Sequence, residues 1–464
     1  MTRTPHKLIR SVALFLAVLF IPLLSGCDDE EAEIFAAYGY YGANLAETLA
    51  KAQPYRAAYS GGEWETGEAI IAELQRLGYE VEIQEFGVGD TDTGRSRNLI
   101  VHIPGQGFFE PTPTPELTED DPSRASGTSE TTETNIYTQV DNRRRERLAR
   151  RVIIGAHYDT PVGVEQAGAY PLFDGISDNS SSVAALVTFL REVRYHPFNY
   201  DIDVVFFGAG YDDWRGARTY LSGIAASDLD LIDAVYVVSS IYGGDKLYAH
   251  AGRNSLAAGD KYVMRRKLYE MTDVALEYNL SVNTGVDLLT NQAGFFVPVP
   301  STGTSALYRE WTLNDSDYLP FDEAGLPIVY IESGNYSAAT LEDIKESTDP
   351  VFNATGGKVS GTNEDSSSTL QEKTGQGQLR KRINVTAFLL IGALDKGSIE
   401  LEAVPLTPTP KPEFDPEDPG GFETAPAAET NASDRYQSEL VGNEATVSTD
   451  VTTETGEIET DTSE

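Results

Sequence analysis

Four short apolar runs fix most of what this chain can fold into: Val152 to Ala156, Asp203 to Phe207, Val235 to Val238, and Ile328 to Ile331. A strand with one wet face alternates apolar and polar residues, whereas one covered on both faces reads as a continuous run. Segments of helical spacing lie between and around them. Glu65 to Leu77 places Ala69, Ile70, Leu74 and Leu77 on one face, with Gly78 as a stop. Ser181 to Arg194 does the same with Ala184, Val187, Leu190 and Val193, and Lys261 to Tyr278 and Leu379 to Leu394 are further helices. Tyr79 to Gln84 alternates like a half-buried strand, and Asn98 to Ile103 is another strand. Buried strands separated by helices predict an α/β fold of three layers, αβα, around a mostly parallel mixed central sheet. In such sheets chemistry sits where the strands end.

The folded part is expected over residues 37–400. Within it, 107–142 opens on Pro-Thr repeats and continues in Glu, Thr and Ser, and 356–378 reads as a polar loop. From Thr407 onward there are 15 Asp or Glu against Lys411 and Arg435, so 401–464 is expected to be an acidic disordered tail. Neither 107–142 nor the tail buries enough apolar area to offset the entropy of ordering. A basic run, Arg143 to Arg147 with Arg150 and Arg151, borders the first of these and reads as a solvated strand entry, with contact to anionic lipid or to the acidic tail as the alternative. The net charge of -38 argues against a nucleic-acid partner.

The chain has one cysteine, Cys27. No internal disulfide, thiol nucleophile or Cys-ligated metal can therefore exist in the folded part. Arg3, Lys7 and Arg10 precede the apolar run Val12 to Leu24, which is too short for a comfortable span, and Ser25-Gly26 precede the cysteine. The Leu24-Ser25-Gly26-Cys27 end resembles a bacterial lipobox. That resemblance implies a signal peptide over 1–26, lipidation of Cys27, a tether over 27–36, and a place in the cell envelope. The protein would then sit on the outer face of the cytoplasmic membrane or its periplasmic side, held by the lipid.

His157 ends the run Val152 to Ala156, and Asp178 stands in Gly175-Ile176-Ser177-Asp178-Asn179-Ser180, at a loop-to-helix junction. A histidine at a strand end and a carboxylate at such a junction can share one metal, with Asp159 behind the imidazole fixing its tautomer. An ordered series of motifs adds to this: Pro54-Tyr55-Arg56, Asn98-Leu99-Ile100-Val101, His157-Tyr158-Asp159, Ser177-Asp178-Asn179-Ser180, Phe206-Phe207-Gly208-Ala209, and Ser316-Asp317-Tyr318 with Pro320-Phe321. Together they resemble the co-catalytic di-zinc aminopeptidase family, which includes bacterial leucyl aminopeptidases, glutamate carboxypeptidases and glutaminyl cyclases. The resemblance implies that fold, and His157 and Asp178 as metal ligands.

The departures fall on the chemistry. Where the family has a general-base glutamate and then a ligand glutamate, this chain has Gly210 and Tyr211. The family's next ligand, an aspartate, matches Ser240, and its last, a histidine, matches Lys345. No histidine follows His250. Asp212 and Asp213 are the nearest carboxylates that could substitute, and Lys345 could pair with Asp178 in place of a metal's charge. Loss of a general base alone costs about a hundred- to ten-thousandfold in rate. The expectation is a lipid-anchored pseudoenzyme that binds a peptide or an envelope protein, with at most one zinc. The alternatives are an active exopeptidase using a single or rearranged zinc site, and a structural envelope protein. Tyr211, Tyr318 and Trp214 are the aromatic residues expected near the cleft.

Overall fold

The computed structural model describes residues 38–87, 94–108, 149–161, 173–252, 255, 261–290, 295–299, 304–308, 312–313, 315–337, 343–375 and 377–403. The signal-like segment 1–26, Cys27, the tether 27–36, the insertion 107–142 apart from its first two residues, the basic run 143–147 and the tail from 404 lie outside them.

Two helices open the domain. Helix α1, Tyr41–Ala52, buries Ala43, Ala46, Leu49 and Ala50. Helix α2, Gly61–Arg76, begins four residues before the apolar spacing shows it, because its first turn is set by a cap. The Ser60 hydroxyl accepts from the Glu63 N–H at 3.2 Å, and the Glu63 carboxylate reaches back to the Tyr59 N–H. Strands β1, Glu82–Gly87, and β2, Arg95–Ile103, follow, then β3, Arg151–His157. A tight turn over Ile176–Ser180 leads into helix α3, Ser181–Glu192, buried without a break from Ser181 to Leu190.

Strand β4, Asp201–Phe207, helix α4, Arg215–Gly223, strand β5, Ile232–Val238, strand β6, Lys246–His250, helix α5, Lys261–Glu277, and strand β7, Leu288–Thr290, come next. Strands β8, Phe295–Val299, and β9, Thr304–Tyr308, form a two-stranded sheet of their own. Strand β10, Ile328–Gly334, and helices α6, Ser367–Thr374, and α7, Gln378–Ala403, complete the described chain. Helix α6 falls inside 356–378, the stretch expected as a polar loop. It forms because the Ser366 hydroxyl accepts from the Thr369 N–H at 3.2 Å and because Leu370 is buried. Helix α7 runs three residues into the expected tail.

The main sheet has eight strands in the order β1-β2-β4-β3-β5-β10-β6-β7. The central strands β4, β3, β5 and β10 are mutually parallel, as are β6 and β7, while the pairs β1/β2, β2/β4 and β10/β6 are antiparallel. This is the mixed, mostly parallel sheet expected. Its apolar runs are continuous because alternate residues serve opposite faces. Val152, Ile154, Val204, Phe206, Tyr236 and Val238 pack with α1, α2, α3, α5 and α7 on one side. Ile153, Val205, Phe207, Val235 and Val237 pack with Ala217 and Tyr220 of α4 and with Phe321 on the other. These are the three layers, and the parallel strands deliver His157, Phe207 and Val238 to one edge.

Candidate functional site at the strand ends

His157 is the last residue of β3 and is 5% exposed. Its ring is held from two sides. Nδ1 lies 3.2 Å from the Asp159 carbonyl oxygen and 3.3 Å from Asp159 Oδ1, and Nε2 faces Asp178 Oδ1 at 3.2 Å. Asp159 is itself fixed, because its two carboxylate oxygens accept the N–H groups of Gly210 at 2.8 Å and Tyr211 at 3.0 Å. The Tyr211 hydroxyl donates to Asp178 Oδ2, so Tyr211 meets both aspartates. Its ring sits edge-on to His157, with centroids 5.5 Å apart, and remains 44% exposed at the mouth of the site.

Three further residues hold the turn that carries Asp178. Asn179 ties two strand ends together, donating to the His157 carbonyl at 3.1 Å and accepting the Ser240 N–H at 3.0 Å. The Asp178-Asn179 peptide is cis. Arg56, fully buried just beyond α1, donates to the carbonyls of Tyr158, Asp174 and Gly175 and to the Ser180 hydroxyl. Asp365, just before α6, accepts the N–H groups of Ser177 and Asp178. Neither Arg56 nor Asp365 was assigned a place in the site from the sequence. Arg56 stood in a quoted motif, whereas nothing in the polar surroundings of Asp365 marks it.

The charges sort themselves around this arrangement. Burial opposes the imidazolium of His157, but hydrogen bonds to Asp159 and Asp178 and the charges of Asp317 and Asp178 outweigh it and hold its pKa well above the usual value. Burial likewise opposes the charged form of Asp178, and hydrogen bonds from His157, Tyr211 and Ser240 win, keeping it below the usual carboxylate range. Asp317 is the opposite case. It is fully buried, neither carboxylate oxygen has a hydrogen-bond partner in another of the described residues, and burial pushes it up to about 7 despite the His157 charge. Burial also raises Asp365 well above its usual range and raises Glu346, even though each accepts two main-chain N–H groups.

Gly210 and Tyr211 occupy the places where the resemblance implies two glutamates. A Cβ on Gly210 would fall 2.7 Å from the His157 Cβ and 2.9 Å from its Cγ. The backbone therefore passes too close to the imidazole for any side chain at that position. Ser240, at φ 52°, directs its hydroxyl to Asp178 and Ser360 and its carbonyl to Ser333.

Two expectations about substitutes are corrected. Asp212 does not turn to His157: its Oδ2 accepts from the Tyr59 hydroxyl at 2.6 Å and meets Arg215 at 3.4 Å. Asp213 pairs with Arg218 at 3.2 Å, on the surface. The backbone is left-handed at Asp213 and Trp214, at φ 51° and 52°. Lys345 is not the cation beside Asp178. Its main chain bridges to Asn335, and its side chain lies along Gly357. The basic side chain that faces Asp178 is His157, at 3.2 Å.

Of the other expected aromatic residues, Tyr318 is buried against Tyr330, and Trp214 lies beneath Arg218. Only Tyr211 is both exposed and in contact with the aspartates.

A two-zinc centre needs carboxylates and neutral imidazoles around both ions, and a base for the bridging water. This donor set does not fit one. Among the described residues no group of three or more His, Cys, Asp or Glu side chains is placed to hold a metal ion. Both ring nitrogens of His157 face carboxylates of Asp159 and Asp178, and a Cβ at residue 210 would meet the His157 side chain.

Residues 135–356 match the model of Peptidase family M28, a stretch that includes every candidate from His157 to Lys345. Among solved structures, the chain is similar to an Acidobacteriales bacterium glutaminyl cyclase at 18% identity, over 77% of this chain and 93% of that one, with a TM-score of 0.47. It is similar to BSAP, a zinc aminopeptidase from Bacillus subtilis, at 12% identity over 75% and 93% of the two chains, with a TM-score of 0.46. A third is the Porphyromonas gingivalis glutaminyl cyclase, at 16% identity over 76% and 98%, with a TM-score of 0.45. No curated protein matches.

Proposed function

We propose that this chain is a lipid-anchored envelope protein that uses a peptidase-type fold to bind a peptide or protein ligand without two-metal hydrolysis. The observation that carries the loss of hydrolysis is the division of Asp178 between two side chains of the same protein. His157 faces one oxygen, and the Tyr211 hydroxyl takes the other. The lipid anchor is supported by the residues up to Cys27. Binding is supported by Tyr211, an aromatic residue whose ring is open to solvent while its hydroxyl is engaged.

The test is the zinc content of the purified mature protein after equilibration with a modest excess of zinc, together with hydrolysis of aminoacyl anilides. No zinc and no hydrolysis are expected. Two ions per chain would overturn the proposal. One ion, lost in His157→Ala, would favour the single-metal exopeptidase. That second reading draws its support from Asp317, whose two carboxylate oxygens have no partner in another described residue and lie within the fields of His157 and Asp178.

A further inference from the structure

We propose that the face around the start of α1 docks on anionic lipid headgroups, so that the lipid anchor and this face together set the orientation of the domain. The inference rests on the lipid anchor at Cys27 proposed above. Ten residues separate Cys27 from Tyr38, where the described chain begins. Fully extended, they reach about 35 Å. The surface around Tyr38 is therefore kept within that distance of the bilayer.

That surface pairs tyrosines with arginines. Arg380 lies over the Tyr40 ring at 4.4 Å, and Arg194 over Tyr195 at 5.2 Å. Arg191 and Arg76 both lie over Tyr41, at 4.5 and 5.9 Å, and Arg191 also donates to the Tyr38 carbonyl. Contact between Arg194 and Gly78 joins the Tyr195 end to the same face. Tyr40 is 59% exposed and Tyr195 is 86% exposed. Arg76 and Arg191 are paired with Glu73 and Glu192, but Arg194 and Arg380 form no ion pair among the described residues.

In a chain of net charge -38, two unneutralised arginines beside two open tyrosines are out of keeping with the rest. Tyrosine and arginine are the side chains that settle at a headgroup layer, the ring at the interface and the guanidinium on phosphate. Screening over about 10 Å lets this patch act locally, whatever the net charge of the chain. The acyl chains already give stable attachment, so the patch contributes orientation more than affinity.

The helices fix what that orientation does. Helix α1 starts at this face and leads to Arg56 at the site, and α3 starts at the Asp178 turn and ends at this face. Each is 12 residues long, or about 18 Å. Docking here therefore leaves Tyr211 and the strand ends facing away from the bilayer.

The experiment is hydrogen exchange at residues 38–44 and 191–196 of the full mature chain. It is run on vesicles of phosphatidylglycerol with phosphatidylcholine and on vesicles of phosphatidylcholine alone, with the lipid on Cys27 checked by mass. Exchange about tenfold slower on the anionic vesicles only is expected, and Arg194→Glu with Arg380→Glu should abolish the difference while leaving the lipid mass and the thermal melt unchanged. Tyr40→Ser with Tyr195→Ser serves as a second variant pair should the first fail to fold. Equal exchange on both vesicles from a lipidated chain would overturn the docking face and leave the anchor intact. Absence of lipid on Cys27 would overturn the anchor. In that case salt-sensitive flotation of the chain with anionic vesicles would still support the face, and its failure to float would end both. Slow exchange without vesicles that speeds up on removal of 407–464 would assign the face to the acidic tail and overturn the proposal.

Discussion

The carboxylate of Asp365 accepts the main-chain N–H of Asp178 at 3.0 Å, and of Ser177 at 2.7 Å, from 187 residues further along the chain. The orientation of the Asp178 side chain is thus set from outside its own loop. Asp365→Ala would leave two buried N–H groups without acceptors, at about 1–3 kcal/mol each. A loss of about 2–4 kcal/mol is expected in urea unfolding. Asp365→Asn, which keeps one acceptor, should lose less. An Ala variant as stable as the parent would show that the contact is not needed.

Tyr211→Phe removes one hydroxyl and leaves Asp178 Oδ2 without its donor. A cost of about 1–3 kcal/mol is expected. Because the pair acts as a unit, the double variant with Asp178→Asn should cost less than the sum of the single variants. Strict additivity in the denaturation midpoints would mean that the hydroxyl and the carboxylate do not interact.

Gly210→Glu is the change that would restore a base in sequence, and it should fail in structure. The new Cβ meets the His157 ring carbon at 2.9 Å. Forcing groups together in a packed site costs about 1–3 kcal/mol. Lower stability with no gain in aminoacyl-anilide hydrolysis is expected, and Gly210→Ala should show a similar loss. A stable Gly210→Glu protein with new activity would contradict the geometry.

Stability should fall as pH rises from about 4 to 7. Asp317 is pushed up to about 7 in the folded chain, whereas an ordinary aspartate ionises near 4. Across that window the folded state keeps a proton that the unfolded state releases, so raising the pH favours unfolding. Glu63, also pushed up to about 7 by burial and by Asp159, adds to the same slope. Asp317→Asn should flatten its part, with a gain at pH 8 on the order of 4 kcal/mol at most and none at pH 4. Parallel pH profiles of urea midpoints for parent and variant would exclude Asp317 as a source.

The sheet was legible because its central strands are buried on both faces and so read as unbroken apolar runs. Strands β6 and β7 were not, since Lys246–His250 and Leu288–Thr290 are short and carry polar residues. The site was legible as far as residue identity reaches: His157, Asp159, Asp178, Gly210 and Tyr211 lie together. Direction was not. Spacing could not reveal that Asp212 meets Tyr59 and Arg215, that Asp213 meets Arg218, or that Lys345 runs along Gly357. Asp365 and Asp317 depend on burial and long-range folding, for which local sequence carries no signal.

Arg56 joins the first described helix to the site. It follows α1 by four residues, and its guanidinium holds Tyr158, Asp174, Gly175 and Ser180 at once. Helix α1 also packs on α3 and touches the Asp178 turn directly, so Arg56 is one tie among several between them. The first helix and the Asp178 turn are thus braced as one body, and a change that loosens α1 reaches the strand ends as well.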